Sequence, residues 1–142
     1  MIQPMVTDAV AEVILGLSHQ VPFGPTITFG LGGVFTEVFA DVAFAVPPFD
    51  AARARTVVES IKGIKLLRGA RGRPRGDVDA LVDVVMKLQK LAVDLGDELS
   101  ELDINPVMVR PEGRGVVAVD ALVIPAAPAP AGDIPAATAS TG

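Results

Sequence analysis

The sequence contains no cysteine, no tryptophan and no tyrosine, and its only histidine is His19. Without cysteine the chain forms no disulfide and offers no thiolate as nucleophile or metal ligand, which fits a cytoplasmic location. A single histidine with no acid or cysteine beside it gives poor support for acid–base catalysis. Because the aromatic residues are limited to six Phe, the core of this 50% hydrophobic chain has to be built from Val, Leu, Ile and Ala.

Long apolar runs are also missing. No run reaches the ~18 residues that a membrane span needs, and the N-terminus lacks a charged stretch followed by an apolar core, so we expect neither a membrane segment nor a signal peptide. The formal net charge of −5 argues against a nucleic-acid binder. A length of 142 residues favours one compact domain.

The pattern of apolar residues predicts strands first, then helices, then a hairpin. Short strands are predicted over residues 2–6, 11–17, 27–29 and 41–46. Asp50 and Asp77 are suitable N-caps for two helices, and Gly96 is a suitable end for the second. The sequence therefore predicts an α+β fold, an antiparallel sheet with two packed helices over residues 1–124, followed by a disordered Pro/Ala-rich tail over residues 125–142.

The predicted hairpin carries a candidate metal site. In Glu101-Leu102-Asp103-Ile104-Asn105-Pro106 the polar and apolar side chains alternate, so Asp103 and Asn105 share one face of a strand. If the hairpin is centred in the turn-like segment 110–115, Asn105 lies opposite Asp120 with Cβ atoms about 5 Å apart. A carboxylate and an amide oxygen suit Mg²⁺, which usually also needs a phosphate. The spacing is explained equally well by two edge-strand residues that face water.

Three other features are weaker candidates for phosphate or ligand binding. Residues 62–75 hold six of the twelve Lys and Arg and no acid, a composition that could bind phosphates but more often belongs to a solvated surface loop. The segment Gly30-Leu31-Gly32-Gly33 would let backbone N–H groups approach a phosphate, although most such segments are only turns. Glu12 and Glu37 are either solvent-facing residues or ligand-binding carboxylates.

Taken in order, the motifs resemble one family. They are similar to the ATP-grasp domain of the NDP-forming acyl-CoA synthetases, the acetate–CoA ligase (ADP-forming) type, with succinyl-CoA synthetase β subunits as more distant relatives. The resemblance covers residues 2–124 and implies the second subdomain of an ATP-grasp fold. The matching motifs are Phe23-Gly24-Pro25, Phe29-Gly30-Leu31-Gly32-Gly33, Glu37, Asp41-Val42-Ala43-Phe44, Leu66-Leu67-Arg68-Gly69-Ala70-Arg71-Gly72, Glu101-Leu102-Asp103-Ile104-Asn105-Pro106 and Asp120-Ala121.

The resemblance implies roles for individual residues. Asn105 and Asp120 match the positions that hold Mg²⁺ against the nucleotide phosphates in that family, and Asp103 lies where a weaker or supporting ligand would be. The family's Gln-x-Met-Val segment is the hinge whose backbone contacts the adenine of ATP or ADP. The residues of this chain that are expected to contact the nucleotide are Gln3, Met5, Val6 and Glu12.

The chemistry implied is phosphoryl transfer between ATP and a phosphohistidine on another domain or chain, coupled to formation or cleavage of an acyl-CoA thioester. The Lys-bearing subdomain that precedes the hinge is absent from this chain, so we expect an oligomer or a heteromer in which a partner chain carries that part and the domain that binds coenzyme A. Two departures from the family pattern concern charge. His19-Gln20 stands where the family has Arg-Asp, and Ala45 stands where it has Arg.

Three functions are compatible with these residues. The first is a catalytic component that works with a partner polypeptide. The second is a non-catalytic nucleotide-binding or regulatory module that uses Asn105 and Asp120 without turnover. The third is a truncated remnant whose apolar surface drives self-association.

Overall fold

The computed structural model describes residues 3–20, 22–33 and 41–127. Within these ranges no helix is long and apolar enough to cross a lipid bilayer. The strands are β1 (Ala11–Gln20), β2 (Gly24–Leu31), β3 (Val42–Ala45), β4 (Leu99–Val109), β5 (Val116–Ala118) and β6 (Ala121–Pro125). The helices are α1 (Ala51–Ser60), α2 (Ile64–Leu67) and α3 (Val78–Leu95).

All of these strands belong to one antiparallel sheet. The order across the sheet is β3-β2-β1-β4-β5, and β6 pairs with β4. The long strand β4 therefore pairs with β1 along one side and with β5 and then β6 along the other. This antiparallel sheet with packed helices confirms the predicted α+β class.

The core lies on one face of the sheet. In β1 the alternating residues Val13, Leu15 and Leu17 are at most 1% exposed, as a strand of period two requires when one face is covered. They belong to one apolar cluster with the buried sides of the helices, to which α3 contributes at steps of three and four. Each fully buried Leu or Val stabilises the fold by about 1.5–3 kcal/mol. The buried apolar residues of α3 are Leu81, Val82, Val85, Leu88 and Ala92.

The helix ends follow the predicted capping. The Asp50 side chain accepts a hydrogen bond from the Arg53 N–H at 2.8 Å, and the Asp77 side chain accepts one from the Ala80 N–H at 3.0 Å. Helix α3 ends at Gly96, whose positive φ of 49° favours glycine. The short helix α2, which has only four residues, was not predicted. A Cβ at Gly63, just before it, would overlap the side chain of Leu31, so glycine is what allows this turn to pack against β2.

Strand β4 changes register in its middle. Val13 pairs with Val107, but Leu15 pairs with Ile104, so two residues of β4, Asn105 and Pro106, lie opposite one residue of β1. Such a bulge lets two successive side chains lie on the same side of the sheet. Just before the bulge Leu102 and Ile104 pack on the core side, and after it Val107 and Val109 do.

One strand prediction is wrong. Residues 3–6, the described part of the strand expected over residues 2–6, form no regular secondary structure, and the first strand begins at Ala11. Strands β1 and β2 are longer than their predicted ranges of 11–17 and 27–29, and β3 is shorter than its predicted range of 41–46. Of the predicted tail, residues 125–127 are described and Pro125 still belongs to β6, whereas residues 128–142 lie outside the described part of the chain.

Asp77 joins the start of α3 to the turn between β4 and β5. Its second carboxylate oxygen accepts a hydrogen bond from the Gly115 N–H at 2.8 Å. Burial alone would raise the pKa of Asp77, but the backbone N–H groups of Ala80, Gly115 and Gly113 hold it below its ordinary value of 3.8. The ionised form is thus the one that stabilises the fold.

We expect Asp77→Asn to lower the free energy of unfolding by about 1–3 kcal/mol. The Ala80 and Gly115 N–H groups bind different oxygens of the carboxylate, and an amide offers only one acceptor oxygen. Asp50→Asn is the matched control, since asparagine caps a helix as well as aspartate does and only one bond is involved. Urea denaturation at pH 7 measures both. The ionised Asp77 stabilises the fold fully above the pKa that it has in the unfolded chain, and this stabilisation is lost as the pH falls through the lower pKa of the folded state. The difference in the free energy of unfolding between wild type and Asp77→Asn should therefore become smaller below pH 3.8. Equal losses in the two variants would contradict this assignment.

Candidate functional site

The second face of the sheet carries the candidate site. Because Val13, Leu15 and Leu17 face the helices, the residues between them in β1 point the other way, together with Asp103 of β4. Gly16 pairs with Asp103 and Glu12 with Met108 across β1 and β4. We call this surface the open face of the sheet.

The hairpin has the predicted register. Val107 pairs with Ala118 in β5, and Ile104 pairs with Ala121 in β6, so residue numbers add to the same total on both sides of the bulge. Between these pairs the Asn105 N–H donates a hydrogen bond to the Asp120 carbonyl at 3.1 Å. Asn105 is therefore opposite Asp120, as predicted, and both positions lie on the open face by the alternation of the flanking residues.

The donor set at this pair is composed of oxygen atoms. Asp120 and Asn105 are exposed and Asp103 is half-buried. One oxygen of the Asp120 carboxylate accepts a hydrogen bond from the Ala121 N–H at 2.8 Å, which orients the group. Among the described residues no cluster of three or more acids, histidines or cysteines could hold a metal ion. Two carboxylates and an amide fit a hard cation that keeps water and gains further oxygens from a phosphate, which is how Mg²⁺ usually binds.

The four residues expected to contact a nucleotide come together in one groove. Gln3, Met5, Val6 and Glu12 line a cavity of about 290 Å³ together with Pro106, Met108 and Val119. Pro106 and Val119 are the chain neighbours of Asn105 and Asp120, and the Val119 N–H donates a hydrogen bond to the Pro106 carbonyl at 3.0 Å. We call this cavity the nucleotide groove. The candidate metal pair thus borders it.

The glycine-rich segment lies against Glu12. The Gly32 N–H donates a hydrogen bond to the Glu12 carbonyl at 2.8 Å, and a Cβ on Gly32 would come within 3.2 Å of the Glu12 backbone. Gly33 has a φ of 72°, and a Cβ there would be 3.6 Å from a carboxylate oxygen of Glu12. The glycines permit close approach of two strands. A carboxylate beside them makes the segment a poor phosphate cradle by itself.

Part of the basic stretch over residues 62–75 takes part in the fold. The backbone N–H groups of Lys62 and Gly63 donate to the Asp41 carboxylate at 2.7 and 2.6 Å, and Arg68 forms an ion pair with Glu59 at 3.3 Å. Arg73 is different, since it lines a cavity of about 340 Å³ with Glu12, Gly32 and Gly33. Arg68 is thus paired within the fold, whereas Arg73 lines a cavity at the edge of the candidate site.

Two other candidates are not brought to the groove. His19 is opposite Pro25 at the far end of β1, seven residues and about 23 Å along the strand from Glu12. Its Nδ1 atom is buried without a hydrogen-bond partner in the described structure. Glu37 lies outside the described residues.

Sequence reasoning missed an ion-pair cluster beside the groove. Arg110 donates to the Asp8 carboxylate from Nε at 2.9 Å and from Nη2 at 3.0 Å, and Arg114 donates to it from Nη1 at 3.0 Å. The hydrogen bonds from Arg110 lower the pKa of Asp8, against a smaller opposing effect of burial and with help from Arg114. Asp8 and Arg110 are 102 positions apart, so no local pattern could have paired them.

Comparison with known proteins places this chain and its fold in one family. A family model described as ATP-grasp domain matches residues 1–124. The β subunit of acetate–CoA ligase (ADP-forming) II from Pyrococcus furiosus is 43% identical over 124 residues, which are 87% of this chain and 52% of that protein. The β subunit of the corresponding ligase I from the same organism is 40% identical over 113 residues, 80% of this chain and 47% of that protein.

Solved structures agree with the sequence comparison. A Pyrococcus horikoshii protein matches with a TM-score of 0.80 at 41% identity, covering 86% of this chain and 51% of that one. The dinucleotide-forming acetyl-coenzyme A synthetase 1 of Candidatus Korarchaeum cryptofilum, solved with coenzyme A and Mg-AMPPCP, matches with a TM-score of 0.75 at 40% identity, covering 81% of this chain and 53% of that one.

The antiparallel sheet, the helices on one face and the groove on the other define a part of an ATP-grasp fold. The chain belongs to the ATP-grasp domain family, and its relatives of known activity include ADP-forming acetate–CoA ligases. It spans about half the length of the two β subunits and the two solved chains named above.

A paramagnetic ion tests the metal pair without any nucleotide. We expect Mn²⁺ to broaden the NMR signals of Asn105, Asp120 and Asp103 first, because these three oxygen-bearing residues share the open face. Asp97 and Glu98, two adjacent acids at the end of α3, are the internal control for non-specific attraction. Asp120→Asn should abolish the selective broadening. If Asp97 and Glu98 broaden at the same Mn²⁺ concentration as Asn105, the pair is not a metal site.

Proposed function

We propose that this chain is the nucleotide- and Mg²⁺-binding half of an NDP-forming acyl-CoA synthetase. The observation that supports this most directly is the position of Asn105 and Asp120 opposite each other, at the border of the groove that Gln3, Val6 and Glu12 line. The family match and the known activities of its members are consistent with this function.

In this proposal different residues of the chain contact different parts of the nucleotide. Gln3, Met5 and Val6 border the base and ribose, and Glu12 lies beyond them at the Gly32-Gly33 edge of the groove. Asn105 and Asp120, with Asp103 behind them, hold Mg²⁺ against the phosphates. The ion supplies charge neutralisation and a template for phosphoryl transfer when it is bound.

The reaction proposed is that of the relatives. The Korarchaeum synthetase was solved with coenzyme A, Mg-AMPPCP and a phosphohistidine segment pointing towards the nucleotide site. By analogy, the phosphoryl group passes between the bound nucleotide and a histidine supplied by another domain or chain, in a reaction coupled to making or breaking an acyl-CoA thioester. The coenzyme A site, the histidine and the lysine-bearing subdomain belong, in this proposal, to a partner polypeptide.

A nucleotide-binding module without turnover is the second candidate. It is favoured by Ala45, a buried residue of β3 at a position where the family resemblance leads us to expect Arg. A fixed cation near developing phosphate charge is worth on the order of 10²-fold in rate. Binding would be retained in this case, and phosphoryl transfer would be lost.

Calorimetric titration with Mg·ATP tests the proposed site. We expect wild type to bind and Asp120→Ala to bind at least about tenfold more weakly, a difference of about 1.4 kcal/mol, because the ion loses a charged ligand. Asp97→Ala removes an equal charge away from the groove and should bind like wild type. Absent heats in wild type, or equal affinities in the three proteins, would rule out the nucleotide site.

Turnover is tested by reconstitution. The chain is mixed with separately expressed polypeptides that carry the lysine-bearing subdomain and the coenzyme A-binding domain of a relative, and ADP-dependent consumption of acetyl-CoA is followed. Activity that requires this chain and is lost with Asp120→Ala supports the catalytic function. Mg·ATP binding without any such activity supports the module without turnover.

A further inference from the structure

Residues 3–9 are held to the sheet in an unusual way. They form neither strand nor helix, and the first backbone hydrogen bond from this end of the chain to the sheet is that from the Val10 N–H to the Val109 carbonyl at 2.7 Å. In the part of the chain that the structure describes, the hydrogen bonds and ion pairs of residues 3–9 with the sheet all involve the Asp8 carboxylate. The position of this segment therefore depends on one side chain.

The partners of Asp8 are themselves fixed. The Arg110 N–H donates to the Gly115 carbonyl at 3.1 Å, and the Arg110 carbonyl accepts from the Asp77 N–H at 3.0 Å. The Arg110 side chain also donates from Nη1 to the Arg114 carbonyl at 3.2 Å. Arg110, whose guanidinium group binds Asp8, is thus hydrogen-bonded through its backbone and its side chain to the other end of the hairpin turn, at Gly115 and Arg114. A two-pronged bond between arginine and carboxylate also sets the orientation of the carboxylate, which a single point charge would not do.

The segment forms part of the wall of two cavities. Residues 3–6 line the nucleotide groove, and residues 3–8 also line a larger cavity of about 610 Å³ with Arg110, Arg114 and residues 117–119. Side chains of Asp8 and Arg110 are 28% and 31% exposed, so water weakens their ion pair less than it weakens a fully exposed one. A shift of residues 3–8 would change the shape of both cavities together.

We propose that Asp8 is a positioning residue for the nucleotide, which it serves by pinning residues 3–8 to the hairpin turn through Arg110 and Arg114. This inference rests on the proposed function, because it concerns the same groove. Asp8 itself does not contact the groove. It acts by keeping Gln3, Met5 and Val6 in the arrangement that accepts the base.

The test uses the full chain and three variants. Asp8→Asn removes the charge, and Arg110→Lys keeps the charge but removes the two-pronged geometry. Asp94→Asn is the matched control, since Asp94 forms an exposed ion pair with Lys90 on α3, away from the groove. Backbone ¹⁵N relaxation reports the order parameters of residues 5–8, and calorimetry reports the dissociation constant for Mg·ATP.

We expect order parameters near about 0.85 in wild type and below about 0.6 in Asp8→Asn and Arg110→Lys. If the accepting arrangement of the segment falls to between a third and a tenth of the population, the dissociation constant rises about three- to tenfold. Asp94→Asn should match wild type in both measurements.

The outcomes separate this inference from the function on which it rests. Unchanged order parameters in both Asp8→Asn and Arg110→Lys overturn the pinning. Mobile residues 5–8 with unchanged Mg·ATP affinity overturn the role in positioning. Wild type that binds no Mg·ATP overturns the proposed function, and with it the positioning role, while its order parameters still report the pinning directly.

Discussion

The register change in the middle of β4 is the constraint on which the site depends. Because Asn105 and Pro106 together face one residue of β1, the strand can turn its apolar residues to the core on both sides of the bulge and still place two successive residues on the open face. On the other side of β4, Val119 and Asp120, which connect β5 to β6, lie opposite Pro106 and Asn105. Pro106 and Val119 become part of the groove wall and Asn105 and Asp120 become the candidate ligands. The adjacency of the candidate metal pair and the groove is therefore a consequence of one extra residue in a strand.

The same arrangement separates stability from function. Burial of the apolar cluster takes place on the helix face of the sheet, where Val13, Leu15 and Phe29 are fully buried. The open face holds exposed or half-buried polar residues whose removal leaves that cluster intact. Substitutions of Asn105 or Asp120 therefore test the candidate site and not the apolar core. Asp77 and Asp41 act on the fold, because each binds backbone N–H groups of a turn or helix start.

Local sequence signals allowed the hairpin register and the helix caps to be predicted. The hairpin register followed from the centre of a turn, and the caps at Asp50 and Asp77 followed from residue type and position. The bulge was missed although a signal was present, since the apolar residues Leu102 and Ile104 are followed by Val107 and Val109, which reverses the parity of the alternation.

Features set by distant contacts could not be predicted. Residues 3–6 have the composition of a strand, but no neighbouring strand pairs with them in the described structure. The ion pairs of Asp8 join opposite ends of the chain, and nothing in either local sequence indicates the other. Arg73 was predicted only as one of six cations, and its place beside Glu12 results from how the loop after α2 folds back on β1 and β2.

If the groove binds a nucleotide as proposed, the charges around it explain why it would form only part of the site. Glu12, Asp103 and Asp120 present carboxylates to the open face, and the two guanidinium groups next to residues 3–8 are already bound to Asp8. A polyphosphate placed against these carboxylates would be repelled unless a divalent cation lay between them. In the proposed function Mg²⁺ therefore enters with the nucleotide, and the single charge of Arg73 at the Gly32-Gly33 edge does not balance the remaining phosphate charge. In the proposed function further cations come from a second polypeptide surface that faces the groove. The chain spans about half the length of the Pyrococcus proteins that it matches.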